Sequence, residues 1–499
     1  YKFDFDLGAV LSDLVFARIL DPQSKLCSYD YCSKGLYEKP QYQLHDVYRA
    51  LDVIAKENDF IQSFLYKSSL KTVKRDTSVL YYDCTNFFFE IAGEDELRKF
   101  GQSKENRPNP LVQMGLFMDG SGMPLAFNLS PGNRNEQITI VPLEKQILKD
   151  FELAGAKLTV CADARLCSKA NKAFNSRMNR NFIVIRPLKK MSRQLQDWAL
   201  DRDRSLELNP LRDDENPDKA EQEIKSRNWQ CAKLKGYFAL DDLDEDDEKL
   251  QDLIFYKERY IVDEETHQTE RLIVTYSIKY KHFMQKKRVR DLERAQKLIT
   301  RKLLKHSDLK KTNDLTRYIK VTNTTADGIE ATHSSYELDL EEAAKQALFD
   351  GFYAVSTSYD MEDKTATEIA DINKGRWENE ESFMLLKSEF KSRPVYLQKS
   401  EHILAHFVIC FIALTVFRTL EQILNKGRKE SFSAHKIIKS LRTMNITKIG
   451  SHYTGGFTRT DLTDALHELT EMRFDCELIT ESLMKKHVKQ SQKIFTPLK

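Results

Sequence analysis

A chain of 499 residues is long enough for a sizeable core and, on length alone, for roughly two to four domains. Hydrophobic residues make up 41% and charged residues 31%, with only 17 Gly and 12 Pro, which excludes low-complexity and collagen-like chains. The 78 basic residues against 76 acidic ones leave a net charge of +2, so any nucleic-acid surface must come from local segregation of charge. The eight cysteines, Cys27, Cys32, Cys84, Cys161, Cys167, Cys231, Cys410 and Cys476, are scattered. They form no C-x-x-C pair and no Cys/His block of zinc spacing, which fits reduced thiols in a cytoplasmic protein. The start YKFDFDLG shows no secretory signal and no initiator methionine, so the natural N-terminus is expected to lie upstream or to be processed.

Residues 1–75 read as a helical region, because LGAVLSDLVFARIL and HDVYRALDVIAKENDFIQSFLYKSSL carry apolar positions near a 3.6 period. From 76 the pattern changes to strands, VLYYDCTNFFFEI, LVQMGLFMD and MPLAFNLS, the last two joined by the turn Asp119-Gly120-Ser121-Gly122. A helix over EQITIVPLEKQILKDFELAG, the strand KLTVCAD, the helix SKANKAFNSRMN and the strand NFIVIRPL follow. The order β-β-β-α-β-α-β predicts an α/β fold, one mixed sheet with helices on its faces. Between 190 and 349 the chain is strongly charged. The acidic run LDDLDEDDEKL precedes the β-rich runs LIFYKERYIVD and TERLIVTYS, then a basic stretch from Lys279 to Lys311 that suits a long amphipathic helix. This segment reads as an insertion. The strand DGFYAVST at 350–357 then leads to a helix over GRWENEESFMLLKSEF, so the core spans 76–189 and 350–425. Residues 426–499 read as a helical C-terminal region with a Gly-rich break at SHYTGGFTRT. The most apolar run, HILAHFVICFIALTVFRTL, approaches membrane-span length, but two histidines interrupt it and Arg418 and Glu421 mark its end. It is read as a buried core helix.

Three carboxylates stand out. Asp83 and Asp163 each close an apolar strand, and Glu380 lies in the helix that follows the last strand. Strand ends are where an α/β sheet presents reactive side chains, and two acids on neighbouring ends would repel unless a cation or proton intervened. Such a set suits Mg²⁺ and phosphoryl transfer. Strand-end aspartates also serve simply as turn residues. Arg376, Glu380 and Lys387 share one helical stripe, where a metal-binding acid would stand between two phosphate-binding cations. An ordinary solvated face with an i,i+4 ion pair has the same spacing. Glu378 and Glu381 compete for the acid's role, although neither shares the stripe as well as Glu380.

The blocks YYDCTNFFFE, RPNPLVQMGLFMDGSGMPLAFNLSPGNRNE, LTVCADARLCSKAN, DGFYAVST and GRWENEESFMLLKSEFKSRPVYLQKSEHILAHFVICFIAL, in this order, resemble a bacterial insertion-sequence DDE transposase with a β-rich insertion before the catalytic Glu. The resemblance covers about residues 10–425. It implies a ribonuclease-H-like mixed sheet flanked by helices, in which Asp83, Asp163 and Glu380 are catalytic and bind two Mg²⁺ or Mn²⁺ ions. It implies cleavage at the ends of the element and strand transfer into target DNA, with one ion activating water or a 3′-hydroxyl and the other stabilising the leaving oxygen. The implied partners are double-stranded DNA, as terminal inverted repeats and target, and a second copy of the chain. The implied location is the bacterial cytoplasm, at the nucleoid. Arg376 and Lys387 would occupy the basic positions of the Y-x2-R-x3-E-x6-K signature. Two departures are visible: Asn373 stands at the signature tyrosine, and Ala164-Arg165 replaces the glycine after the second acid. A nuclease or resolvase without strand transfer, or a domesticated DNA-binding protein without catalysis, is the alternative.

Four further features have two readings each. Lys286, Lys287, Arg288 and Arg290 form the densest part of the basic stretch and suit a phosphate-tracking surface, or else balance the acidic run. Relatives imply a DNA hairpin whose flipped base stacks on an aromatic of the insertion, for which Trp198 and Trp229 are the candidates, although ordinary packing also suits them. His402 and His406 have i,i+4 metal spacing without an H-E-x-x-H context, and core histidines are the simpler reading. Gly132-Asn133-Arg134-Asn135 either positions DNA or is a plain turn at a helix start.

Overall fold

The computed structural model describes residues 2–203 apart from 106 and 167, residue 224, and residues 226–263, 267–301, 315–324, 333–475 and 478–494. Four helices open the chain: α1 (Leu7–Leu20), α2 (Lys25–Gly35), α3 (Leu44–Lys56) and α4 (Asn58–Ser69). The strands β1 (Val79–Phe88), β2 (Leu111–Asp119) and β3 (Pro124–Pro131) follow, then α5 (Ile140–Asp150), β4 (Leu158–Ala162), α6 (Lys169–Phe174) and β5 (Arg180–Ile185). Next come α7 (Arg193–Leu200), β6 (Gln230–Cys231), β7 (Phe255–Val262), β8 (Thr269–Tyr276) and the long α8 (Ile278–Thr300). The chain continues through β9 (Ile319–Thr324), β10 (His333–Leu338), α9 (Leu340–Ala347), β11 (Phe352–Thr357), α10 (Ala366–Lys374) and α11 (Trp377–Met384). A π-helical segment, Leu385–Glu389, extends α11. The C-terminal part holds α12 (Ser400–Asn425), α13 (Ala434–Thr443), β12 (Ile446–Ile449), β13 (His452–Gly455), α14 (Asp461–Thr470), β14 (Ile479–Thr480) and α15 (Glu481–Ile494). Two compact units result: Tyr1–Asn181 with Lys374–Lys499, and Phe182–Asn373.

In the first unit the strands lie in the order β3-β2-β1-β4. β1 is antiparallel to β2, β2 to β3, and β1 is parallel to β4, so the sheet is mixed. The predicted order of strands and helices is the one observed. Leu80, Tyr82, Phe117, Leu158 and Val160 meet Ile140, Leu143 and Ile147 of α5 in one core. Each fully buried aliphatic or Phe side chain there contributes roughly 1.5–3 kcal/mol. The turn after β2 is held by Asp119, which accepts from the Ser121 and Met123 backbone N–H groups at 3.0 Å each and pairs with the fully buried Arg75. The apolar run at 402–420 lies in α12, which is buried along most of its length against α1, α3, α4 and β3 and is a core helix as expected.

The C-terminal region departs from the expectation of helices alone. It contains a three-stranded antiparallel sheet, β12-β13-β14. Ile449 pairs with His452 across a two-residue loop whose Gly450 has φ 60°. Gly-Ser between short Thr- and Ile-bearing runs is a hairpin signal that the helical pattern on either side obscured.

In the second unit β11 is antiparallel to both β5 and β8, β8 to β7, and β7 to β6. Trp229, Phe255, Tyr276 and Phe352 form its main core. The β9–β10 hairpin closes a smaller cluster with Ala295 of α8 and Ala343 of α9. Basic residues from 302 to 311 lie outside the described residues.

Candidate active site

Parallel pairing brings the first two acids together. Tyr82 faces Ala162 in the last β1–β4 pair, so Asp83 and Asp163 come next to one another; Asp163 stands just past the end of β4 as expected, whereas Asp83 is mid-strand, because β1 continues along β2 to Phe88. Both are half-buried. Each carboxylate accepts the N–H of the residue that follows it, Asp83 from Cys84 at 2.7 Å and Asp163 from Ala164 at 2.6 Å. Burial raises the Asp83 pKa. Lys104, the Cys84 N–H and Arg376 pull it back down, and the Asp163 charge pushes it further up. A divalent cation would let both carboxylates ionise, and an all-oxygen donor set fits a hard ion.

The sequence reading missed Lys104 and Glu136. Lys104 donates to the Cys84 carbonyl and lies 3.8 Å from Glu136, placing a cation and a further acid beside Asp83. Lys104 lies between strands and Glu136 merely opens the helical run EQITIVPLEKQILKDFELAG, so no local signal marks either as part of a site.

Glu380 sits on α11, which is seated on the sheet by its neighbour. The buried Asn379 amide donates to the carbonyls of Tyr81 and Leu116 at 3.3 and 3.1 Å. Gly375 lets the chain approach β1 closely, since a Cβ there would stand 2.2 Å from the Tyr81 hydroxyl oxygen. The other two acids of the helix are committed to the buried Arg418 of α12, Glu381 at 2.7 Å and Glu378 at 3.8 Å, with Glu421 also at 2.7 Å. Burial raises the pKa of Glu378 and of Glu421 against the pull of Arg418. Glu380 is exposed and, among the described residues, makes no ion pair. One turn back, Arg376 is close enough for its charge to act on Asp83 and on Cys161.

Lys387 leaves the expected stripe. The helix changes to π geometry at Leu385, so the 3.6-residue arithmetic that aligned Lys387 with Glu380 does not hold across it. Its ammonium instead bonds Glu105 at 3.3 Å, and Glu105 also pairs with Arg393. Burial lowers the Lys387 pKa, opposed by Glu105. Asn373, at the signature tyrosine, is buried and donates to the Tyr353 hydroxyl at 3.1 Å, so its amide is turned into the protein. Arg165 is exposed in the turn Ala164–Leu166.

The basic helix divides. Lys279 pairs with Asp252 at 3.0 Å, and Lys281 and His282 pair with Glu245, so the first turn of α8 does balance the acidic run. Arg288 is half-buried, its side chain 12% exposed and paired with the buried Asp350, which corrects its grouping with its exposed neighbours. Lys286, Lys287 and Arg290 are exposed and have no acidic partner among the described residues. Trp229 is fully buried and its indole donates to the Asp201 carbonyl at 2.8 Å, so it is core packing. Trp198 is half-buried and donates to the Ser226 carbonyl at 2.6 Å. His402 meets Asp52 at 2.9 Å, and His406 meets the Ser392 carbonyl at 3.0 Å, so both are satisfied structural histidines. Asn135 caps the turn before α5 by accepting from Gln137 N–H at 3.0 Å, leaving Asn133 and Arg134 exposed. Six cysteines are free thiols, and Cys167 and Cys476 lie outside the described residues.

No curated protein sequence matches the chain. Among solved structures, a cryo-EM structure of a piggyBac transposase synaptic complex with hairpin DNA aligns with 88% of this chain and 70% of its own, at 9% identity and a TM-score of 0.38. Residues 87–416 match the transposase DDE domain family, a span that holds Asp163 and Glu380 and begins four residues after Asp83. The chain belongs to the transposase DDE domain family.

Proposed function

We propose that this protein is a metal-dependent DNA transposase that cuts at the ends of its element and joins them to target DNA, with Asp83, Asp163 and Glu380 as catalytic acids. The observation that carries the reading is the juxtaposition of Asp83 and Asp163 where the parallel pairing of β1 with β4 ends. The commitment of Glu378 and Glu381 to Arg418 supports Glu380 as the third acid. Two Mg²⁺ or Mn²⁺ ions held by the three carboxylates would supply Lewis acidity at the attacking and leaving oxygens. Arg376 and Lys104 flank Asp83 and would draw the scissile phosphate toward the acids, Arg376 with a two-donor grip. Lys286, Lys287 and Arg290 would track the DNA backbone. A second copy of the chain would hold the other end of the element. A bacterial cytoplasmic setting fits this reading.

The test is to incubate the full chain, Mg²⁺ or Mn²⁺ and DNA carrying the element's terminal inverted repeats, then to resolve nicked and joined products. The proposal expects both products from the wild type and neither from Asp83→Ala. Cleavage without joining would indicate a nuclease or resolvase, and binding with neither product a domesticated DNA-binding protein. Unchanged cleavage by Asp83→Ala would show that the site is elsewhere.

A further inference from the structure

Away from the three acids, the first unit holds a cavity of about 680 Å³, a volume suited to a small molecule. Its floor is cationic. Lys25 is 4% exposed and Arg18 is 2% exposed, both on the cavity wall, with Lys391 and His406 beside them. No Asp or Glu is among the residues that line it. Arg18 donates to the carbonyls of Gln23, Phe390 and Lys391 at 2.9, 3.2 and 3.3 Å, which satisfies its fork without neutralising its charge. Its Nε has no acceptor among the described residues. The Lys25 ammonium donates to Nδ1 of His406 at 3.4 Å, which leaves His406 Nε2–H to donate to Ser392 O. A buried ammonium whose only hydrogen-bond partner among the described residues is a neutral imidazole is far from compensated.

The rim has the opposite character. Tyr48, Leu26, Pro394 and Tyr396 give it apolar and aromatic surface, and Tyr396 is 69% exposed. One carboxylate would leave most of the charge of Arg18, Lys25 and Lys391 unbalanced, whereas a phosphomonoester carries close to two negative charges at neutral pH. We propose that this cavity binds a phosphomonoester attached to a flat ring, as in a nucleoside monophosphate, with the phosphate on Lys25 and Lys391 beside the Arg18 charge and the ring against Tyr396 and Tyr48. The site does not depend on the assignment of the catalytic acids.

Burial, reinforced by the Arg18 charge and opposed by the Cys410 thiol, lowers the Lys25 pKa to about 7. The groups facing Lys25 are Arg18 from α1, His406 and Cys410 from α12, and Lys391 from the segment after the π turn. His406 is held neutral, its pKa lowered by burial and by Lys25 and Arg18. Ligand affinity therefore falls as pH rises through the Lys25 range.

Calorimetric titration of the full chain with adenosine monophosphate, inorganic phosphate and adenosine tests the proposal. Binding of the monophosphate tighter than that of either fragment is expected. Lys25→Met should weaken the monophosphate by about tenfold or more while leaving thermal stability equal or higher, because it removes a buried charge. Tyr396→Ala should weaken the monophosphate and leave inorganic phosphate unchanged. A 5′-phosphorylated oligonucleotide that competes where its 5′-hydroxyl counterpart does not would assign the same chemistry to a strand end; competition by neither would assign it to the free nucleotide. Absence of monophosphate binding, or a folded Lys25→Met that binds like the wild type, would overturn the proposal.

Discussion

Asn379 donates a hydrogen bond to the carbonyl of Leu116, the residue that stands opposite Asp83 in the antiparallel β1–β2 pair. The same amide reaches the Tyr81 carbonyl, two residues before Asp83. The helix that carries Glu380 is thus fixed to the two strands that define the position of the first acid. Asn379→Ala should leave buried carbonyls without their donor and cost about 1–3 kcal/mol of stability. Metal-dependent cleavage should fall further than thermal stability explains, because α11 loses its registration on the sheet. Denaturation and cleavage measured on one preparation check this, and a variant destabilised but catalytically unchanged would show that the anchor does not position Glu380.

Protons and metal should compete at the acids. The Asp83 carboxyl has a raised pKa, chiefly from burial and further from Asp163. Without metal, the native state holds this proton more tightly than the unfolded chain does. Its contribution to stability is therefore present below the ordinary aspartate pKa and is lost as pH rises through the folded value. Mn²⁺ should reverse that trend by binding the ionised pair. Thermal shift by Mn²⁺ should be larger at about pH 8 than at about pH 5, and should vanish in Asp83→Asn. An equal shift at both pH values would remove Asp83 from the metal site.

Arg418 should prove more important to folding than to chemistry. Its guanidinium faces Glu378, Glu381 and Glu421, so Arg418→Gln leaves three partly buried carboxylates unpaired. A cost of about 3–5 kcal/mol is expected. The pKa values of Glu378 and Glu421 are already raised by burial and should rise further once the arginine is gone. The deficit should then shrink as pH falls and these groups take up protons. Urea denaturation across that range measures it, and a deficit independent of pH would mean that the cluster is solvated.

Much of this arrangement was legible in the sequence because it is local. β2 occupies the run LVQMGLFMD and β4 stops just before Asp163, whereas β1 runs past Asp83 to Phe88 because Cys84 to Phe88 keep pairing with β2. What escaped depends on distant partners. Arg418 meets Glu381 across 37 residues, Arg288 meets Asp350 across 62, and Asn379 meets Leu116 across 263, and none of these separations leaves a periodic trace. The π turn at Leu385 escaped for a different reason. Its composition is that of any helix, and only packing decides that the next turn widens. Composition likewise grouped Arg288 with Lys286 and Lys287, although Arg288 is half-buried on Asp350 and the others are exposed.

That last distinction can be read at the bench. If Lys286, Lys287 and Arg290 neutralise phosphates, replacing each by Ala should weaken binding to any duplex and flatten the dependence of log affinity on log salt, by about 0.9 for each phosphate left without its cation. Folding should be unaffected, since all three are exposed. Arg288→Ala should behave differently. It strands Asp350, whose pKa burial raises and Arg288 holds down, so stability should fall by about 3–5 kcal/mol with no specific change in salt slope. Filter binding over a salt series, paired with thermal denaturation of each variant, separates the two outcomes. A triple variant with an unchanged salt slope would place the phosphate-tracking surface elsewhere. An Arg288→Ala protein as stable as the wild type would show that Asp350 finds another partner or takes up a proton.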